Sequence, residues 1–156
     1  MWQDAITKEM KNVQIAFKIG LVRDPNPVRH QQIRWHMIFD IKIEIFKRKA
    51  RFAAGGNTTE THETLTYPSV VSRESVRIAL TLVALNDLDF KTGDIMNAYQ
   101  TALVGEKIWC ICGTEFGVDA VKPAIIKRAL YVLKASGASF RNHLSNYMQT
   151  LGYTSC

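Results

Sequence analysis

From Ile33 to Ile45 the apolar residues Ile33, Trp35, Met37, Phe39, Ile41, Ile43 and Ile45 fall on every second position, with Arg34, His36, Asp40, Lys42 and Glu44 between them. That period puts one side of an extended chain against a core and the other toward water, and it predicts a half-buried strand. A second run, Lys47 to Ala54, carries Lys47, Lys49 and Arg51 on one face and ends at Gly55 and Gly56. The two runs read as an antiparallel hairpin. Its turn lacks the usual chemistry, because Ile45 and Phe46 replace the Gly, Asn or Asp that a tight hairpin turn prefers.

Helical periods frame this hairpin. Trp2, Ala5, Ile6, Met10 and Val13 recur at helical spacing with Asp4 and Lys8 on the polar side, which predicts an amphipathic first helix. Asp24 to Val28, DPNPV, reads as a turn-rich linker, since each proline biases its predecessor away from helix. Gly55 to Ser69 has the composition of a loop. Ser72 then suits an N-cap, with Glu74 in the first turn, before a helix that is apolar on most sides (Val76, Ile78, Ala79, Leu80, Leu82, Val83, Leu85) and is therefore expected to be buried. Asn86 and Asp87 close it. Phe140, His143, Leu144, Tyr147, Met148 and Leu151 predict a last helix, capped by Ser139, stopped by Gly152 and carrying His143 as a packed core histidine.

Between these helices lie three more expected strands. Leu88, Phe90 and Thr92 alternate with Asp89, Lys91 and Gly93, so a short strand delivers Asp94 to the start of a helical segment bearing Tyr99, and Gly93 allows a bulky group near the backbone. Lys107 to Cys112 and Ile125 to Lys134 read as two further strands, paired across GTEFGVD and flanking the Asp94 strand. On spacing alone Asp94 is better explained by helix N-capping than by metal binding.

Composition changes this picture only a little. The chain has 156 residues, 47% apolar and 22% charged, which suits one domain with a sizeable core. It has no apolar run of about 20 residues, and its first residues lack the apolar core of a secretory signal, so an intracellular setting, cytoplasmic or nuclear, is expected. Cys110 and Cys112, with Cys156, make an odd count that suits free thiols in such a setting. The four histidines do not stand at zinc-site spacings from cysteines or carboxylates. A formal charge of +6 is compatible with a polyanionic partner or with a solvated surface. It is concentrated at Lys47, Arg48, Lys49 and Arg51, and again at Lys122, Lys127, Arg128, Lys134 and Arg141.

The order of motifs carries more information. WQDAITKEM, IRWHMIFDIK, KRKARFAAGG, YPSVVSRESVRIAL, GDIMNAY, EKIWCICGTEFG, RALYVLK and GYTSC follow one another from Trp2 to Cys156, and together they resemble the reverse transcriptase domain of copia-type retrotransposons. The resemblance implies an α+β fold comprising the fingers and a partial palm of a right-hand polymerase, with mixed helices and antiparallel strands. It implies one partial domain over 1–156, with a fingers-like hairpin and loop at 33–71 and a partial palm and fingers at 72–156. Asp94 would be the catalytic aspartate that binds magnesium, and Tyr99 the aromatic beneath the sugar of the incoming nucleotide. Lys49 and Arg51 would meet its triphosphate, and Lys134 would border the nucleotide and template. The implied partners are an RNA or DNA template-primer and deoxynucleotides, with no membrane.

Departures from the family pattern shape the functional expectation. Phosphoryl transfer by paired metal ions needs more than one carboxylate, whereas this sequence has no adjacent aspartate pair and stops before the family's Tyr-x-Asp-Asp hairpin. Val132 stands where the family's LYGLK motif has Gly, and Phe140 where it has Trp. RNA-directed DNA synthesis is thus expected by descent, and inactivity of this stretch alone. The rival readings are a non-catalytic basic module that binds nucleic acid or a partner, and an unselected remnant.

Overall fold

The computed structural model describes residues 2–23, 25–56 and 71–154. Helix α1 (Trp2–Val13) leads through a 3-10 turn, Gln14–Ala16, into strand β1 (Phe17–Ile19). Its apolar stripe faces inward as the spacing predicts, with Val13 buried, Ala5, Ile6 and Met10 half-buried, and Lys8 and Lys11 exposed. Residues 25–27 have no regular structure, in keeping with the linker, and Asp24 lies outside the described residues. Strands β2 (Gln31–Gln32), β3 (Trp35–Lys42) and β4 (Lys47–Ala54) follow. Most of the expected loop at 55–69 also lies outside the described residues. Beyond it come helices α2 (Arg73–Leu85) and α3 (Ala98–Thr101), strands β5 (Ile108–Ile111) and β6 (Pro123–Ile126), and helix α4 (Ser136–Thr150).

Two sheets result. One has the order β1-β6-β5-β2, antiparallel except for the parallel β2–β5 pair, and the other is the β3–β4 hairpin. The hairpin is antiparallel from Trp35 opposite Ala54 to Lys42 opposite Lys47. Its turn uses a 3-10 segment, Ile43–Ile45, and then Phe46 in the left-handed region at φ 46°. Phe46 is 84% exposed, so this backbone geometry is imposed by turn closure and not by packing of the ring. The fold is a mixture of helices and mainly antiparallel strands, in agreement with an α+β class.

Phe52 joins the two sheets. Its ring stacks on Trp35 at 4.7 Å between centroids and meets Phe17 edge-on at 5.3 Å, while Trp35 Nε1 donates to the Ile111 carbonyl at 2.8 Å. Around them Val13, Ile108, Cys110, Ile126 and Leu130 are buried in one cluster. Full burial of a side chain such as Phe52 stabilises by roughly 1.5–3 kcal/mol. The outer edge of β4 is closed by two further bonds. The Phe52 N–H donates to Glu9 Oε1 at 2.9 Å, and the Ala54 N–H donates to the Tyr131 carbonyl at 3.2 Å.

Several expectations are corrected. The alternation in β3 produces burial only at Ile33, Trp35 and Met37, because the distal half projects beyond the cluster and exposes Phe39, Ile41, Ile43 and Ile45. No strand forms over 88–93: Leu88 and Phe90 are exposed, and the places beside β5 and β6 are taken by β2 and β1. Alternation cannot make a strand without a partner edge. The expected strand Ile125–Lys134 shrinks to Pro123–Ile126, after which only single bridges remain, Arg128 to Leu103 and Tyr131 to Ala53.

Among the helices, α2 has its Ser72 cap, accepting from the Ser75 N–H at 3.0 Å, yet none of its residues is buried, and Leu85 is 76% exposed. Apolar residues on most sides do not bury α2, because no layer among the described residues covers it. Helix α4 starts at Ser136 after Ala135 and not at a Ser139 cap, since the Ser136 hydroxyl instead donates to the Leu130 carbonyl at 2.6 Å. His143 is exposed because only the first turns of α4 pack, and Gly152, at φ 86°, ends the helix as expected.

The edge bonds of β4 give a direct expectation. Glu9→Ala leaves the buried Phe52 amide without an acceptor and should cost about 2 kcal/mol in urea unfolding, whereas Lys11→Ala on the exposed side of α1 should change stability by less than about 0.5 kcal/mol. Equal effects from the two substitutions would show that Glu9 does not hold the edge.

Candidate functional site

The residues singled out by sequence are brought together in part, and the residue that gathers them is Tyr131. Its backbone bridges to β4 at Ala53, which brings the segment before α4 alongside the hairpin. Its ring meets Tyr99 edge-on at 5.3 Å, and Tyr99 in turn meets Phe140 at 6.1 Å. Burial raises the Tyr131 hydroxyl pKa above its ordinary value; Glu9 raises it further, Arg51 lowers it, and Tyr99 and Asp94 raise it. Arg51 from the hairpin, Tyr99 from α3 and Asp94 from the segment before it therefore act electrostatically on one phenol. Sequence reasoning passed over Tyr131. The available signal was its place in RALYVLK, next to the departure at Val132.

Each of these groups has a definite local support. Arg51 extends toward Asp40, one of the hairpin's polar residues, at 3.7 Å; both side chains are substantially exposed, so the pair adds little stability. Tyr99 is fixed through the backbone of its short helix: Arg128 Nη1 donates to the Gln100 and Thr101 carbonyls at 3.2 and 3.1 Å. Beside it Gln100 is only 2% exposed, and its Oε1 has no hydrogen-bond partner among the described residues. Asp94 differs from expectation. It is exposed in an irregular segment, and the residue capping α3 is Asn97, at φ 52°. Gly93 also meets open space, with no group approaching it.

Lys49 lies opposite Asp40 in the hairpin and lines a groove against α1 that Tyr99 and Tyr131 do not line. Lys134 is half-buried just ahead of α4. The second basic group does not form a patch. Lys122 pairs with Asp119 at 2.6 Å and Arg128 is spent on the carbonyls of α3, so their charges serve local structure.

The residues present do not fit a pair of magnesium ions. Among the described residues no three His, Cys, Asp or Glu side chains gather where an ion could be held, and Asp94 brings one carboxylate where a two-ion site needs several. Cys110 and Cys112 are free and buried; burial pushes the first up to about 12 and the second up to about 11. Both remain thiols at neutral pH and offer no nucleophile. Cys156 lies outside the described residues.

Val132 explains why the Tyr131 segment is held under strain. It sits at φ 74°, a left-handed conformation that a β-branched residue adopts at a cost of about 1–2 kcal/mol, and its carbonyl lies so close to Gly56 that a side chain at 56 has no room. The backbone there is one that a glycine adopts without strain. Val132→Gly should raise the stability by about 1 kcal/mol, net of the extra freedom gained by the unfolded chain, and thermal unfolding reads this directly. Destabilisation by the glycine would mean that the exposed valine side chain contributes packing that outweighs its strain.

Comparison with protein-family models, with curated proteins and with solved structures gave no match to this chain.

Proposed function

We propose that this chain is the fingers and first part of the palm of a copia-type reverse transcriptase, RNA-directed DNA synthesis being the activity of the enzyme from which it descends. The observation that carries this reading is the docking of Tyr131 on β4, bridged to Ala53 two residues from Arg51, with the Tyr99 ring packed edge-on against it at 5.3 Å, so that stretches far apart in sequence meet. An arginine fork suits a triphosphate and an aromatic ring suits the sugar edge of a nucleotide, and Arg51 and Tyr99 are among the residues that the motif order assigns to those tasks. The left-handed backbone at Val132 supports it independently, because LYVLK adopts there the conformation for which the family's glycine is suited.

The solitary, exposed Asp94 favours a second reading for this stretch taken alone, a non-catalytic nucleic-acid-binding module derived from the element. Without companion carboxylates the chain binds a nucleotide without turning it over. Magnesium belongs to the enzyme of origin and not to the residues present here. The exposed apolar surface of α2 and of Leu88 and Phe90 fits an element whose covering layer is not among the described residues.

Calorimetric titration with dATP and with ATP tests the reading. The deoxynucleotide should bind several-fold more tightly, Tyr99→Ala should bring the two affinities together, and Arg51→Ala should weaken both on the order of tenfold, as loss of a charge-assisted contact does. Equal affinities that ignore both substitutions would contradict it. Primer extension on an RNA template should give no product, and product that disappears with Asp94→Asn would overturn the claim that one carboxylate is insufficient.

A further inference from the structure

A groove of about 240 Å³ runs between α1 and the outer edge of the hairpin, lined by Lys8 and Glu9 on one wall and by Lys42, Lys47, Arg48 and Lys49 on the other. Tyr99 and Tyr131 do not line it, although Glu9 of its wall also acts on the Tyr131 hydroxyl. Its charge is lopsided. The five cations have no ion pair among the described residues, and the Glu9 carboxylate is already engaged by the Phe52 N–H. Asp4 joins Lys8, Lys47 and Arg48 at an adjoining recess, and Asp40 stands opposite Lys49 in the hairpin.

The aromatic residues beside this groove supply a second property. Trp2 and Phe39 meet edge-on at 5.1 Å, and the Arg48 guanidinium stands 5.8 Å from the Trp2 ring centroid. Phe39 is half exposed although it belongs to an alternating apolar run, so one of its surfaces is open. Cations that track a phosphate backbone, next to a ring on which a base can stack, are the two elements by which proteins hold single-stranded nucleic acid without reading its sequence. The cations extend along the hairpin from Lys49 to Lys47 and Lys42 beside its turn, a row that suits successive phosphates of one strand, whereas a duplex, with its bases stacked inside, would offer nothing to Phe39.

We infer that the α1–hairpin groove binds a single nucleic-acid strand, with Lys8, Lys42, Lys47 and Lys49 on its phosphates, Arg48 held in place by Trp2, and a base stacked on Phe39. This shares with the reverse transcriptase reading only the class of partner; it stands on Lys8, Lys42 and Phe39, which take no part in the Arg51–Tyr99–Asp94 cluster.

Anisotropy of a fluorescein-labelled oligo(dT) of about eight nucleotides tests this on the full chain. The logarithm of the affinity should fall with the logarithm of salt with a slope of about −3, and Lys8→Ala and Lys42→Ala should each reduce that slope by about 0.7. Phe39→Ala should weaken binding on the order of tenfold without altering the slope. Phe39→Leu, which keeps apolar contact with Trp2, should lose as much, separating stacking from folding. Arg51→Ala and Tyr99→Ala should leave the affinity unchanged. Binding that ignores Lys8, Lys42 and Phe39 but depends on Arg51 would overturn the groove and leave the nucleotide reading intact. Full displacement by an equal charge of inorganic tripolyphosphate, with no response to Phe39→Leu, would reduce it to a simple anion site and overturn the strand. Binding to phosphatidylserine vesicles with none to oligo(dT) would assign the cations and the apolar hairpin tip to a lipid surface and also overturn it.

Discussion

The hairpin strand β4 can be held in place only if its backbone and its central ring are satisfied from opposite directions, and Phe52 is where both requirements meet. Its ring lies in the aromatic cluster with Trp35, Phe17 and Phe116, which belongs to the four-stranded sheet side of the molecule. Its N–H points to the outer edge, where Glu9 of α1 accepts it. Two residues on, Ala54 donates to Tyr131. An unpaired buried amide costs about 1–3 kcal/mol, so α1 and the segment before α4 are fixed to the same strand edge by necessity and not by contact area alone. Both functional regions follow from this arrangement. The groove is the space between α1 and the strand that Glu9 ties together, and the Tyr99–Tyr131 cluster is the consequence of docking residue 131 on the strand's end.

How much of this was legible in the sequence depends on whether an element carries its own partner. The hairpin was readable with its boundaries at Lys47 and Ala54, because β3 and β4 pair with one another. Helix α1 was readable because its stripe finds β4. The stretch 88–93 has equally regular alternation but no free edge to join, and it remains irregular. Helix α2 shows the same limit in three dimensions: Ser72 and Asn86 place its ends correctly, whereas the burial of Ile78, Leu82 and Leu85 depends on a covering layer that its own residues cannot specify. For the site, Arg51, Tyr99 and Asp94 were named from motifs, but the tyrosine on which Tyr99 packs was not, since Tyr131 is placed by a single backbone bridge to Ala53.

Val132 connects the two kinds of information. The motif resemblance leads one to expect glycine there, and the backbone at φ 74° is one that a valine adopts only under strain. Strain of this kind persists where surrounding contacts over-determine the chain. Here those contacts are the close approach of Gly56, the bond from Ala54 to Tyr131, and the Ser136 hydroxyl on the Leu130 carbonyl. Charge tells a complementary story. Lys42, Lys47, Arg48 and Lys49 of the hairpin line a groove without an ion pair among the described residues, while Arg51 faces Asp40 and Lys122 and Arg128 are absorbed into local structure.

Amide hydrogen exchange, read residue by residue, tests the central role of β4. The amides of Phe52 and Ala54 should be among the slowest to exchange in the chain, opening only with global unfolding, while those of 88–93 should exchange at rates near those of a free peptide. Protection of 88–93 equal to that of β4, with rapid exchange at Phe52, would contradict it and would mean that the strand before Asp94, and not the edge of β4, is what the fold is built on.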